Sequence, residues 1–447
     1  MSLLIKNATI INESCSCKGS VLIVEDRIED IYPFGTKLPM ADETIDASGK
    51  WLIPGAIDDQ VHFREPGATQ KGSIATESRA AVAGGVTSFM DMPNNQPPCC
   101  TMSLLHDKYQ IAANDAYANY AFYFGANNDN IEDIKKIDRN RLPGVKVFMG
   151  SSTGNMLVDN PETLEKIFRE SPVLIATHCE EESIIRHNLE EAKKKDGDAI
   201  PPEKHPVIRS REACIASTQK AIALALKHHS RLHILHLTTK EEIALLAKVR
   251  KKTPEITGEI CVHHLYYTDQ DYVALGNLIK CNPAIKSVQD REALREALRR
   301  GVIQVVATDH APHSLDEKQR PYLHAPSGLP LIQYALPLMF SMAQAGIFTP
   351  EQVVAWMCHG PALNFGVVQR GFIRKGYYAD LVLLDPHPPA RPSVSDTLYY
   401  RCGWNPLSSA QISVRVSHTF VNGSLVYTQH QGVTGLRSAQ ALRFYEK

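Results

Sequence analysis

Among its 447 residues this chain has no apolar run long enough to cross a bilayer, no CxxC pair among ten cysteines, no internal repeat and no low-complexity tract. Nor does one sign of charge prevail: 48 Lys and Arg stand against 49 Asp and Glu, a net charge of -1. That balance argues against a nucleic-acid or anionic-membrane surface. The opening residues, Met1 to Lys6, lack a signal peptide, so the expectation is a cytoplasmic protein with reduced thiols. The cysteines, including the neighbours Cys15/Cys17 and Cys99/Cys100, read as small core residues. What is present is ample apolar material, 43% of residues, enough for a large core.

The chain is organised around residues 54–67. Trp51, Leu52 and Ile53 lead into a Pro54-Gly55 turn, and Ile57, Val61 and Phe63 then mark a short buried strand that breaks at Glu65-Pro66-Gly67. Side chains two apart share a face, so Asp58, Gln60, His62 and Arg64 are expected to point together. Polar groups on a buried strand are costly unless they pair or coordinate something.

Residues 1–53 read as short strands (3–5, 8–11, 20–24 and 27–31) with a hairpin turn at Glu25-Asp26. From about 55 to 365 strands alternate with helical stretches. Strands are expected at 86–90, 120–125, 144–150, 173–178, 232–236, 259–263 and 303–309, and helices at 74–84, 161–170, 211–227, 241–252 and 291–300. Residues 180–195 are charge-rich, as a solvated helix would be. After 366 strands return at 371–373, 379–384, 414–416 and 419–421, with a turn at Asn422-Gly423 and an arm from 429 to 447. The expected architecture is α/β: a TIM-like (β/α)8 barrel over 55–365, beside a small β-sandwich domain built from both termini, 1–54 plus 366–447.

Five of the expected strands end in metal-type groups: His62, Lys146, His178, His236 and Asp309. In a parallel barrel these ends converge on one mouth, and imidazole and carboxylate are ordinary zinc ligands. A lone buried histidine is usually structural; several at the same end of successive strands favour a metal site. Lys146 is different, because an ammonium cannot bind a metal. It pairs with a carboxylate, or carbon dioxide converts it to a carbamate.

Taken together these stretches resemble the amidohydrolase superfamily, and within it the dihydroorotases of the longer, class I type. The resemblance runs through Pro54 to Gly67, Met92-Pro93-Asn94, Gly144 to Met149, Thr177-His178, Leu235-His236-Leu237, Asn282-Pro283, the Thr308-Asp309-His310-Ala311-Pro312-His313 run and Ala379 to Val382. It implies one zinc on His178 and His236, a second with His62 and Asp309, and a carbamate on Lys146 bridging them. It further implies a metal-activated hydroxide as nucleophile, Asp309 as general base turned acid, and reversible interconversion of dihydroorotate and N-carbamoyl-L-aspartate in pyrimidine biosynthesis. Arg64, Asn94, Asn282 and His313 occupy positions that contact substrate in such enzymes. The guanidinium fork of Arg64 suits a substrate carboxylate, with pairing to Asp58 or Glu65 as the plain alternative. A small-molecule substrate and a homodimer complete what the resemblance implies.

The chain also departs from the pattern. Gln60 stands where a His-x-His pair is usual, which implies one tight zinc and a weaker second. In the 327–333 loop Leu331 and Gln333 stand where Gly and Glu are usual. His263 and His264 read as core histidines or as residues that support the ligands from behind. The alternatives are an allantoinase or dihydropyrimidinase-like hydrolase, and an inactive assembly protein on the same scaffold.

Overall fold

The structure, a computed structural model, describes residues 1–150, 156–158, 160–388 and 397–445. It opens with β1 (Ser2–Asn12), paired antiparallel with β2 (Cys15–Val24), which turns at Glu25-Asp26 into β3 (Arg27–Pro33). The two expected segments 3–5 and 8–11 are one strand, because a bulge between Ile5 and Ala8 lets both halves pair with β2. On its other edge β1 takes two partners: β4 (Glu43–Asp46) along its first half and β5 (Trp51–Pro54) along its second.

The barrel follows as β6 (Ala56–Val61), β7 (Val86–Asp91), β8 (Asn119–Phe122), β9 (Phe124–Gly125), β10 (Val145–Phe148), β11 (Ile175–His178), β12 (Leu232–Ile234), β13 (Ile256–Cys261) and β14 (Val305–Ala307). Neighbouring strands pair in parallel, β6 to β8 in one sheet and β9 to β14 in another. β8 and β9 are one stave interrupted at Tyr123, the first half paired with β7 and the second with β10, so the staves number eight. The seam between first and last staves closes where His62 N donates to His310 O over 2.7 Å. Helices between the strands begin on clear caps. Ser73 forms a capping box with Thr76 at the head of Ile74–Ala83, and Thr239 one with Glu242 at the head of Lys240–Arg250. The Pro54-Gly55 turn needs its glycine, since a Cβ there would lie 2.0 Å from Thr87 Oγ1 on the next stave.

Beyond the barrel come β15 (Leu381–Asp385), β16 (Arg415–Val421), β17 (Ser424–Thr428) and β18 (Gly432–Val433). β15 lies antiparallel to β5, which joins both termini in one nine-stranded sheet, with a shared apolar cluster that includes Ile5, Val21, Ile23, Leu52, Leu381 and Phe420. Two details differ from expectation. Residues 371–373 form no strand; Ile373 instead exchanges two hydrogen bonds with the side chain of Asn12. The end of the chain is not a loose arm: Leu442 N donates to Tyr120 O, Val368 N to Arg443 O, and Leu442 and Phe444 pack beside Ile57, Met90 and Phe365. Residues 446 and 447 lie outside the described residues.

Candidate active site

The strand ends do converge. His62 follows β6, and its Nε2 lies 3.1 Å from Asp309 Oδ1, just past β14. His62 Nδ1 lies 2.6 Å from Asn94 Oδ1, an acceptor that suits an Nδ1–H and would leave Nε2 as the lone-pair nitrogen for a metal held between it and Asp309. Asn94, expected among substrate contacts, thus has its carboxamide oxygen engaged by His62. Gln60, the residue in the usual His position, donates from Nε2 to Asp309 Oδ1 over 3.2 Å and turns Oε1 toward Cys261 Sγ at 3.9 Å.

Across the mouth, His178 at the end of β11 donates from Nε2 to Glu180 Oε2 over 2.8 Å, and Glu180 in turn pairs with Arg209. That bond leaves His178 Nδ1 free to face His236 Nε2 at 3.0 Å. Two imidazole nitrogens on one tetrahedral zinc sit about 3.3 Å apart, given Zn–N bonds near 2.0 Å. The pair therefore fits a shared metal, as does the 3.1 Å separation of His62 and Asp309. Burial holds both His178 and His236 below the usual imidazole range, so each offers a neutral nitrogen.

Lys146 on β10 is buried, and burial draws its ammonium down to about 8. Among the described residues it has no hydrogen bond and no ion pair; its Nζ stands 4.6 Å from the Phe148 ring centroid. Asp309 behaves in the opposite way: burial raises its carboxyl, but the His62 contact and the positive charge of Lys146 outweigh this and hold it below the usual range.

The residues of the 308–313 run are held by several partners, with Pro312 and His313 both meeting Arg64. Thr308 donates to both oxygens of Asp58, at 3.2 Å from N and 2.5 Å from Oγ1. His310 joins Glu77, at 2.7 Å, to the backbone of Leu331 and Ile332. His313 Nε2 lies 3.0 Å from an Arg64 Nη2 and 3.1 Å from Ser327 O, while Lys71 Nζ meets its Nδ1 at 3.1 Å.

Arg64 pairs with neither Asp58 nor Glu65, since Asp58 is taken by Thr308 and Glu65 accepts from Ile74 N. Its Nε donates to Pro312 O, and among the described residues no carboxylate forms an ion pair with it. The surroundings add further cations. Lys318 is buried, pulled down to about 7 by burial, and its Nζ donates at 3.0 Å to the carbonyls of Lys280, Pro326 and Gly328. Asn282 Oδ1 is buried without a partner. Three site residues, Arg64, His236 and Asp309, hold positive φ of 69°, 40° and 48°. Such backbone is costly outside glycine and concentrates where geometry matters more than local ease.

The sequence reading did not anticipate Lys71, Lys318 or the Glu180–Arg209 pair, whose charges look like ordinary surface charge in the chain. It also missed the buried group of Asp59, His233 and Glu259, in which His233 Nε2 lies 3.1 Å from Glu259 and 3.7 Å from Asp59. Strict alternation along β6 sends Asp59 away from Gln60, but a register irregularity between Asp58 and Val61 breaks that rule. Gln333, in place of the usual Glu, faces away from the site: its Nε2 donates to Thr397 O and its Oε1 accepts from Tyr399 N.

A parallel eight-stranded barrel with imidazole, lysine and carboxylate gathered at the strand ends defines a metal-dependent hydrolase. The chain belongs to the amidohydrolase family, whose model matches residues 51–426. It is 30% identical to a dihydroorotase of Methanosarcina acetivorans over 95% of this chain and 92% of that one. It is 33% identical to a dihydroorotase of Halobacterium salinarum over 94% and 96%. In structure it is similar to the L-hydantoinase (dihydropyrimidinase) of Arthrobacter aurescens, with TM-score 0.92, 23% identity and 99% of each chain covered. The protein is a hydrolase acting on cyclic amides. No helix among the described residues is long and apolar enough to cross a membrane.

Proposed function

We propose that this protein is a zinc-dependent dihydroorotase, opening the ring amide of dihydroorotate to N-carbamoyl-L-aspartate and closing it again. The observation that carries this reading is Arg64: a buried guanidinium that feels the Asp309 charge and touches His313, with no carboxylate ion pair among the described residues. Dihydroorotate brings the missing carboxylate. Hydantoins, allantoin and dihydrouracil do not.

Zinc fits the donor set, held by His178, His236 and a carbamate on Lys146, and more weakly by His62 and Asp309. A lysine drawn down to about 8 has roughly a tenth of its amine free at pH 7, against a few parts in ten thousand at its ordinary value, which favours reaction with carbon dioxide. When bound, the metal lowers the pKa of water and polarises the amide carbonyl. Arg64 grips the substrate carboxylate, with His313 holding the guanidinium in place. Asp309 Oδ accepts a proton from the attacking water and delivers it to the ring nitrogen as the C–N bond breaks. Asn94 fixes the His62 tautomer. Adding one water and breaking one amide bond balances the reaction, and the reverse path expels that water.

The experiment is a side-by-side measurement of kcat/KM for dihydroorotate, allantoin, hydantoin and dihydrouracil. The expected result is preference for dihydroorotate. Better turnover of a carboxylate-free ring overturns the assignment in favour of an allantoinase or dihydropyrimidinase-like enzyme.

A further inference from the structure

At the end of β13 the chain turns into a short helix, Val262–Tyr266, which carries His263 and His264 immediately after Cys261. All three side chains are buried, and one donor atom from each lies within 4.8 Å of the other two. Ligands on a single tetrahedral zinc are roughly 3.3–3.6 Å apart, from bond lengths of about 2.0 Å to nitrogen and 2.3 Å to sulfur. Small side-chain rotations close the difference.

Hydrogen bonding accounts for only part of the cluster: the Cys261 thiol faces Gln60 Oε1 and His264 Nε2 faces Pro283 O. Among the described residues neither ring nitrogen of His263, both buried, makes a well-formed hydrogen bond, the Thr308 carbonyl being its one backbone neighbour that favours a proton. His264 donates from Nε2 to Pro283 O over 3.2 Å, which fixes its tautomer and leaves the buried Nδ1 as an unpartnered lone pair. Buried polar atoms are almost always satisfied, so three orphan imidazole nitrogens in one place call for a ligand. Gln60 Oε1, which accepts from Cys261 Sγ over 3.9 Å, supplies a further oxygen donor beside the cluster. Burial, joined by the charges of Asp309, Glu259, Asp58 and Asp59, pushes the Cys261 thiol well above its usual range. A cation bound there makes the thiolate accessible.

We propose that Cys261, His263 and His264 form a binding site for a divalent transition-metal ion of the zinc class, distinct from the Lys146/His178/His236 and His62/Asp309 groups. Two nitrogens and one sulfur suit zinc or cobalt and suit magnesium or calcium poorly. Binding replaces the S–H bond by a metal–sulfur bond and releases the proton to solvent. The site gives Gln60 a second role: its amide nitrogen serves Asp309 while its oxygen turns to this cation.

The test reads metal–sulfur ligation directly and needs no substrate. The full-length protein is stripped of metal, reloaded with cobalt(II), and scanned for the thiolate-to-cobalt charge-transfer band in the near ultraviolet. The proposal requires the band in the unmodified protein, its loss in Cys261→Ser with cobalt retained at His178 and His236, and its persistence in Cys179→Ser. Should Cys261→Ser not fold, His264→Gln is titrated instead, and at least a tenfold weaker cobalt affinity read from the same band is expected. Absence of the band from the unmodified protein, or its survival in Cys261→Ser, overturns the proposal.

Discussion

Gln60 Nε2 donates a hydrogen bond to Asp309 Oδ1 over 3.2 Å, where an imidazole would instead offer a lone pair to a metal. A carboxamide that presents its N–H₂ to the carboxylate contributes nothing to a cation held there. The metal with His62 and Asp309 should therefore leave first when the protein is dialysed against a mild chelator. Gln60→His should retain one more equivalent of zinc than the unmodified protein under the same dialysis. Equal retention by the two proteins contradicts the asymmetry.

Lys146 is buried with no counter-ion among the described residues, and on the proposed reading its amine matters chiefly as the site of a carbamate. Lys146→Ala should lose zinc and reduce kcat/KM by at least ~10³-fold, a few kcal/mol of electrostatic stabilisation, with partial rescue by short carboxylic acids. Intact mass of the active, metal-loaded protein checks the same point. An unmodified Lys146 there rules the carbamate out.

Asn94 orients His62 through the 2.6 Å bond to Nδ1. Asn94→Ala should weaken metal retention at His62 or lower activity by roughly 10–100-fold, the usual cost of removing an orienting partner from a metal-binding histidine. Circular dichroism should be unchanged. Asn94→Asp, which keeps an acceptor, should recover most of the loss.

Lys318 ties the 313–328 segment to Lys280, donating to the carbonyls of Lys280, Pro326 and Gly328. Lys318→Met strands those carbonyls and should cost at least ~2 kcal/mol of stability in urea unfolding. The pH dependence has a definite sign. The folded-state value of about 7 lies below the ordinary lysine value near 10.4, so the unfolded chain binds more protons between them. Stability attributable to this group therefore rises with pH from about 7 to about 10, and Lys318→Met should flatten that rise. A slope identical to that of the unmodified protein contradicts the assignment.

The barrel was legible because several staves are short apolar runs with His or Asp at or just past their ends, and such endings survive errors of two or three residues in strand length; Lys146, expected at a strand end, is instead the second residue of β10. β14 is only three residues long against an expected seven, yet Asp309 still follows two residues past its end. His263 fared worse: it was expected at a strand terminus, but β13 stops at Cys261 and a short helix begins. Helix Met102–Asp115 left no clear stripe, because its buried face is Leu105, Lys108 and Ala112, and a lysine in that place reads as surface. Only the fold reveals that Lys108 pairs with Asp91 at 2.7 Å. The same holds for Lys318 and Glu180, whose partners are far away in sequence or are backbone atoms. Gln60 was legible as a departure; that its two amide ends face Asp309 and Cys261 was not.

The most direct test of the central claim compares Arg64→Met with the unmodified protein on two substrates, dihydroorotate and dihydrouracil, which differ by the carboxylate. The account predicts that the unmodified protein prefers dihydroorotate. It further predicts that Arg64→Met lowers kcat/KM for dihydroorotate by at least ~10²-fold, because a buried carboxylate loses its charged donor, while dihydrouracil changes by no more than a few-fold. Equal losses on both substrates, or an unmodified protein that already favours dihydrouracil, contradict it.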